Sequence, residues 1–235
     1  ELMVINSVGI ETADDNNLVS FDKNSLVEKF TDLSDRIQEH IYRIFDERYV
    51  VYDNKILFRS RSKVMDTIFK KENLVLISCR QSKNNSPVFV TKIIGCRDSL
   101  TNHSYFFPLY LYTEDGTKIP NFNKEIYSKI IANIKSKVEP ENVLDYIYVV
   151  LHSPSYREKY KEFLKIDFPR VPYPEDEKQF FAFAKLGEEL RRLHLLENPE
   201  VNNFITTYSE VGDDIVEKVS YKNKKIFINK TQYFG

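Results

Sequence analysis

The chain has 235 residues, 42% of them hydrophobic and 29% charged, with a formal charge of −1. That balance places it among globular proteins that bury one large core or two smaller ones without staples. No apolar run reaches the roughly 18 residues of a membrane helix and no signal-peptide pattern opens the chain, so a cytoplasmic location is expected. Cys79 and Cys96 lack CxxC spacing, which fits a reducing compartment and no zinc site.

Met3 to Ser20 alternates weakly and reads as irregular chain or short strands. From Ser25, with Glu28 placed to complete a capping box, Leu26, Phe30, Leu33, Ile37, Ile41 and Ile44 recur at helical spacing. They predict an acidic amphipathic helix to about residue 42. Tyr49 to Tyr52 and Ile56 to Phe58 flank Asp53-Asn54 and predict a hairpin. Ser62 to Lys71 predicts a short helix with Val64, Met65, Ile68 and Phe69 on one side. Leu74 to Cys79 and Val88 to Ile94 are β-branched apolar strands, joined by a loop of polar residues and one proline. Ser104 to Tyr112 adds an aromatic strand closed by the turn Glu114-Asp115-Gly116.

Beyond residue 121 the pattern turns helical. Phe122 to Ser136 and Glu141 to Leu151 are two helices, and Ser153-Pro154 caps a third bearing Tyr156, Tyr160, Phe163 and Leu164. Asp167 to Pro174 holds three prolines and must be extended. Glu175, Asp176 and Glu177 then open a helix running to about Leu196, acid at its positive end. The tail ends in a hairpin of Ile215 to Val219 with Lys225 to Ile228. The fold class is therefore α+β: a strand-rich half with a twisted sheet, a helical half and a short C-terminal hairpin. The divisions fall at 1–120, 121–197 and 198–235, within one structural unit.

Catalytic patterns are missing. His40, His103, His152 and His194 form no HxH or HExxH, and no P-loop, GxGxxG or GxSxG is present. Asp14-Asp15 lacks the lysine of a PD(D/E)xK nuclease and reads as a polar turn. Val171-Pro172-Tyr173-Pro174 lacks the acid or amide and the paired prolines of an amino-methyltransferase motif and reads as an extended linker. No catalytic or metal-binding residue is assigned. A chain that opens at Glu1 without such signatures is expected to be a piece of something larger, with the chemistry elsewhere.

Charge is distributed unevenly. Lys55 to Arg97 carries ten basic residues against Asp66 and Glu72, a formal +8 that leaves −9 for the rest. Such a segment has the electrostatic footprint of a polyanion-binding face, with nucleic acid the first partner to consider. Arg59, Arg61 and Lys63 alternate just before a helix, whose first amides would add to their grip on phosphates; Lys92 is a further phosphate contact. Arg80, Gln81, Lys83, Asn84 and Asn85 are candidates for base readout, since Arg and Lys pair with guanine and Gln and Asn with adenine. The aromatics of Tyr105 to Tyr112 offer stacking faces, although alternation sends at least half to the core. From another class, the basic face would dock on an acidic partner domain, and weak salt dependence would mark that alternative.

The succession Tyr42-Arg43-Ile44-Phe45-Asp46-Glu47-Arg48, Arg59 to Met65, Asn73-Leu74 to Arg80-Gln81, Val88-Phe89-Val90-Thr91 and Phe107 to Tyr112 resembles the carboxy-terminal specificity domain of type ISP restriction-modification enzymes. The similarity continues through Asp145 to Tyr148, Leu151 to Arg157 and Phe163 to Arg170, covering about residues 9 to 197. Ile44 stands where the family usually has proline. The resemblance implies a parent that fuses a nuclease, an ATP-driven translocase and an adenine-specific DNA methyltransferase to this target recognition domain. The parent would use S-adenosylmethionine, ATP and Mg. The fragment itself would be a cofactor-free monomer that holds double-stranded DNA beside the methyltransferase domain of the same polypeptide.

Overall fold

The computed structural model describes residues 2–81, 87–100, 103–208 and 210–235. In chain order these form β1 (Ser7–Val8), α1 (Asp15–Leu18), β2 (Val19–Ser20), α2 (Lys23–Lys29), β3 (Ile37–Arg43), β4 (Asp46–Val51), α3 (Ser62–Met65), β5 (Val75–Cys79) and β6 (Val88–Thr91). There follow β7 (Ser104–Pro108), β8 (Tyr110–Tyr112), β9 (Lys118–Pro120), α4 (Lys124–Ile131), α5 (Pro140–His152), α6 (Pro154–Tyr160), α7 (Glu177–His194), β10 (Ser220–Lys222), β11 (Lys225–Phe227) and β12 (Tyr233–Phe234). The architecture is α+β, as the sequence predicts. It divides into two compact units, Glu1–Leu195 and Leu196–Gly235.

The first unit is organised by an antiparallel sheet of order β1-β7-β5-β6. Every residue of β5 and β6 is buried, so neither face of these strands meets water. Alternation assigns the faces. Leu76, opposite Val90 and Phe107, joins a core with Leu144, Tyr148 and Phe180 of α5 and α7. Ile77, opposite Phe89 and Phe106, joins a second core with Ile41, Val50, Tyr52 and Met65. Helices cover one side of the sheet, and the β2-β4-β3 sheet with α2 and α3 covers the other.

The long helix predicted from Ser25 to residue 42 is replaced by three elements. α2 stops at Lys29, a 3-10 stretch spans Thr31–Arg36, and β3 follows. A spacing of four is even, so Ile37 and Ile41 share one face of a strand as readily as of a helix. Pairing along β4 then decides the matter, from Ile37 opposite Val51 to Arg43 opposite Asp46. The cap of α2 is also displaced from Ser25 to Asp22, whose carboxylate accepts from the amides of Asn24 and Ser25. The hairpin predicted across Asp53-Asn54 is absent: Tyr49 to Val51 belong to β4, and Asp53 forms a local turn whose carbonyl accepts from the Ile56 and Leu57 amides. α3 is one turn long rather than reaching Lys71.

Ser104 to Tyr112 is split. At Leu109 the chain leaves β7; its amide donates to Leu74 O, and buried Asn73 accepts from the Tyr110 amide. α6 begins where its cap predicts, at Ser153, and α7 begins within the predicted acidic opening, capped by Asp176, while α5 starts at Pro140 with Glu139 as its cap, one residue before the predicted Glu141. The proline-rich stretch between α6 and α7 is tied down by two tyrosines, Tyr146 donating to Pro172 O and Tyr156 to Arg170 O. In the second unit the hairpin lies at β10 and β11 instead of beginning at Ile215, because Asn223 and Lys224 both take positive φ and make the tight turn.

Candidate nucleic-acid interface

At one end of the large sheet β1 and β5 finish while β6 and β7 begin. Gly9 passes so close to this end that an added Cβ would lie 2.4 Å from the Cys96 carbonyl carbon, so only glycine fits. The amides of Gly9 and Ile10 donate to Ser104 O and Gly95 O, and Arg97 donates back to Ile10 O. Glu11 and Arg59 exchange two further backbone bonds of 3.0 Å. This threading carries the Glu11 carboxylate into the middle of three guanidiniums.

Arg61 Nη2 lies 2.7 Å, Arg97 Nη1 3.0 Å and Arg59 Nη1 3.4 Å from the Glu11 oxygens. Burial pushes the Glu11 carboxyl up, but the Arg61 hydrogen bond and the three positive charges outweigh it and hold the group below its usual range. Arg97 also pairs with Asp98 at 3.2 Å. The predicted phosphate contacts Arg59 and Arg61 are therefore gathered in one place, with their charge partly neutralised.

Lys63 is exposed on α3, but that helix is a poor anion site: it has one turn, and Arg61 in the left-handed conformation precedes it, accepting the Val64 and Met65 amides with its carbonyl. Lys92 is exposed just after β6. Of the predicted readout residues, Arg80 and Gln81 are exposed where β5 leaves the sheet, and Arg80 Nε lies 3.1 Å from Asp167 of the proline-rich stretch. Lys83, Asn84 and Asn85 lie outside the described residues. Cys79 pairs with Ser104, whose amide donates to Arg97 O, so Arg80 and the Glu11 cluster share one end of the sheet.

Sequence reading missed a ladder on the β3–β4 hairpin. The Arg48 guanidinium carbon stands 4.4 Å from the Phe21 ring centroid and 3.8 Å from that of Tyr42, with Arg43 at 4.6 Å over Tyr42. Asp46 fixes Arg48 through two bonds of 2.7 and 2.9 Å. Tyr42, Arg43, Asp46 and Arg48 fall in the quoted Tyr42-to-Arg48 motif, whereas Phe21 comes from the segment after β2, and a helix predicted to about residue 42 concealed the hairpin that brings the motif together. By contrast, Phe106, Phe107 and Tyr110 are buried, leaving little of the aromatic strand for stacking.

The described residues contain no group of three His, Cys, Asp or Glu side chains set to hold a metal ion. His40 is wholly buried, and burial pushes its imidazole down to about 4 despite the hydrogen bond to Arg48 O. His152 and His194 pack around Tyr148, with His194 Nδ1 2.5 Å from its hydroxyl. No described helix is long and apolar enough to cross a membrane.

Residues 31–235 match the model of the Type ISP C-terminal specificity domain. No curated protein matches the chain. Among solved structures, the ATP-dependent Type ISP restriction-modification enzyme LlaBIII bound to DNA is similar over 100% of this chain and 18% of its own, with 18% identity and a TM-score of 0.77. A nuclease-deletion mutant of the Type ISP enzyme LlaGI in complex with a DNA substrate mimic is similar over 100% of this chain and 26% of its own, with 17% identity and a TM-score of 0.74. The DrdV–DNA complex is similar over 83% of this chain and 23% of its own, with 23% identity and a TM-score of 0.72. The chain thus shares their fold over about a quarter or less of each polypeptide's length.

Proposed function

The chain belongs to the Type ISP C-terminal specificity domain family, and from that premise we propose that it reads a specific sequence in double-stranded DNA for a restriction-modification enzyme. The family match over residues 31–235 carries the reading. Structural likeness to chains determined with DNA supports it, as does the gathering of Arg59, Arg61, Arg97 and Arg80 at one end of the sheet. Phosphate contacts from Arg59, Arg61, Lys63 and Lys92 supply affinity that falls steeply with salt, while Arg80, Gln81, Lys83, Asn84 and Asn85 supply the sequence preference. The bound duplex is presented to a methyltransferase domain of the same polypeptide for adenine methylation, and the parent's S-adenosylmethionine, ATP and Mg serve its other domains. Its place of work is the cytoplasm, and the domain acts as a monomer.

The test is a salt titration of binding to random duplex, followed by comparison with the host enzyme's site as mapped by genome methylation. Arg80→Ala and Gln81→Ala should each cost about 1–3 kcal/mol on the cognate site and relax one position, whereas Arg59→Ala should weaken all sequences alike. Affinity independent of salt would favour docking on an acidic protein domain instead. Unchanged site preference in both readout variants would remove the loop from the interface.

A further inference from the structure

Beside the Glu11 cluster, β3 and the segments around residues 10–13, 58 and 96–98 enclose a cavity of about 300 Å³. That is the low end of the range for small-molecule sites, room for one nucleotide and not for a helix. Its walls combine unlike chemistries. Tyr42 and the Arg43 guanidinium stacked on it line one part, and Phe58, 62% exposed, lines another with the Arg59 guanidinium 5.0 Å from its ring centroid. Arg97 and Asp98, held to each other, and the buried ring of His40 belong to the same lining.

A site for phosphate alone would be basic throughout, and a cation site would not be lined with guanidiniums. Aromatic faces set among both donors and acceptors match a nucleobase, which offers a π face and an edge of mixed hydrogen-bonding groups. Arg43 pairs with no carboxylate among the described residues: its Nη1 donates to Tyr42 O at 2.6 Å and approaches Cys96 Sγ at 3.4 Å, leaving other N–H groups for a ligand. Tyr42 is held in place because its hydroxyl donates to Asp15 at 2.9 Å. His40 Nδ1 lies 2.8 Å from Arg48 O and so carries the ring proton, which makes Nε2 a pure acceptor. That Nε2 is buried without a hydrogen-bond partner among the described residues.

We propose that this cavity receives a single unstacked nucleotide of the bound DNA, a role that rests on the recognition reading above. Phe58 and the Arg43 guanidinium provide the stacking faces, and the remaining Arg43 N–H groups contact phosphate or a base carbonyl. Extruding one base of a pair leaves its partner unpaired, so DNA held for base chemistry supplies such a nucleotide. The cavity lies at the end of the sheet where Arg80 and Gln81 emerge.

Two measurements on the 235-residue chain test this. Each of the four deoxynucleoside 5′-monophosphates is titrated at millimolar concentration while aromatic NMR signals of Tyr42 and Phe58 are followed. Affinity is then compared between a paired duplex and one bearing a single base opposite an abasic position. Nucleotide-dependent shifts, with about tenfold preference for the unpaired base, are expected. Arg43→Ala and Phe58→Ala, both at exposed positions, should abolish the preference and leave paired-duplex affinity within about twofold. No shifts and no preference would overturn the cavity's role even if the paired duplex binds well. Shifts without preference would assign the cavity to free nucleotides and overturn the DNA source. Paired-duplex affinity reports separately on the recognition reading.

Discussion

Asp145 of α5 is 2% exposed and faces Arg191 of α7, which holds it through bonds of 2.6 and 3.0 Å. Arg191→Met keeps most of the side-chain volume but leaves the carboxylate alone in the core. Breaking a buried pair in this way costs about 3–5 kcal/mol, a large share of the roughly 5–15 kcal/mol that holds a domain folded. At ~2–4 °C per kcal/mol for a unit of this size, the unfolding midpoint should fall by about 6–20 °C. Asp145→Asn combined with Arg191→Met should recover most of that, because no unpaired charge remains. Burial raises the Asp145 carboxyl above its usual range, and Arg191 only partly opposes this. A carboxyl raised in the folded state binds its proton more tightly there, so its stabilising effect is greatest below the unfolded value and is lost as pH rises through the folded one. Without Arg191 the folded value rises further, and the single variant should regain stability as pH is lowered from about 7 to 5. Thermal and urea unfolding of both variants at the two pH values decide the matter. A loss under about 1 kcal/mol, or a deficit that does not change with pH, would refute an uncompensated buried carboxylate.

Gly187→Ala would place a Cβ 1.9 Å from Asp145 O and force α5 and α7 apart, with a loss of about 3 kcal/mol or more expected in denaturant titration. Neutral burial of His40, with its imidazole lowered to about 4, gives stability that is complete above the unfolded value near 6.5 and is lost as pH falls toward 4. The span corresponds to ~3 kcal/mol, and His40→Gln should flatten this part of the stability profile; an unchanged slope would show that another group titrates. Ile44→Pro places the preset φ at the first turn position between β3 and β4, where the Ile44 amide makes no backbone bond, and should raise stability by about 0.4–1 kcal/mol in the same titration.

Local chemistry made much of the fold readable. β5 and β6 announce themselves as short β-branched runs, and Ser153-Pro154 and the acidic run from Glu175 to Glu177 mark the starts of two helices. The even spacing of Ile37 and Ile41 satisfies both the helical and the strand periodicity, and only the partner strand β4 distinguishes them. The turn at Ile44-Phe45 forms without proline because Phe45 itself adopts a positive φ, which no composition rule would suggest for a bulky residue. At the candidate interface the cations were visible in the sequence, but their partners were not. Glu11 is 50 residues from Arg61 and 86 from Arg97, and Asp167 is 87 from Arg80. Asp98 stands one residue beyond the basic window, so a formal count over that window overstates the positive field this end of the sheet presents.

A strand with both flanks enclosed has no idle side. Sliding β5 by one position would send Val75 and Ile77 into the space shaped for Leu74 and Leu76, spoiling both cores at once. Sequence drift is therefore channelled to the places where the ribbon ends, and Arg80 and Gln81 occupy one of them. Exchanging a few side chains there leaves the interior untouched, as teeth may be recut on a key whose shank stays fixed.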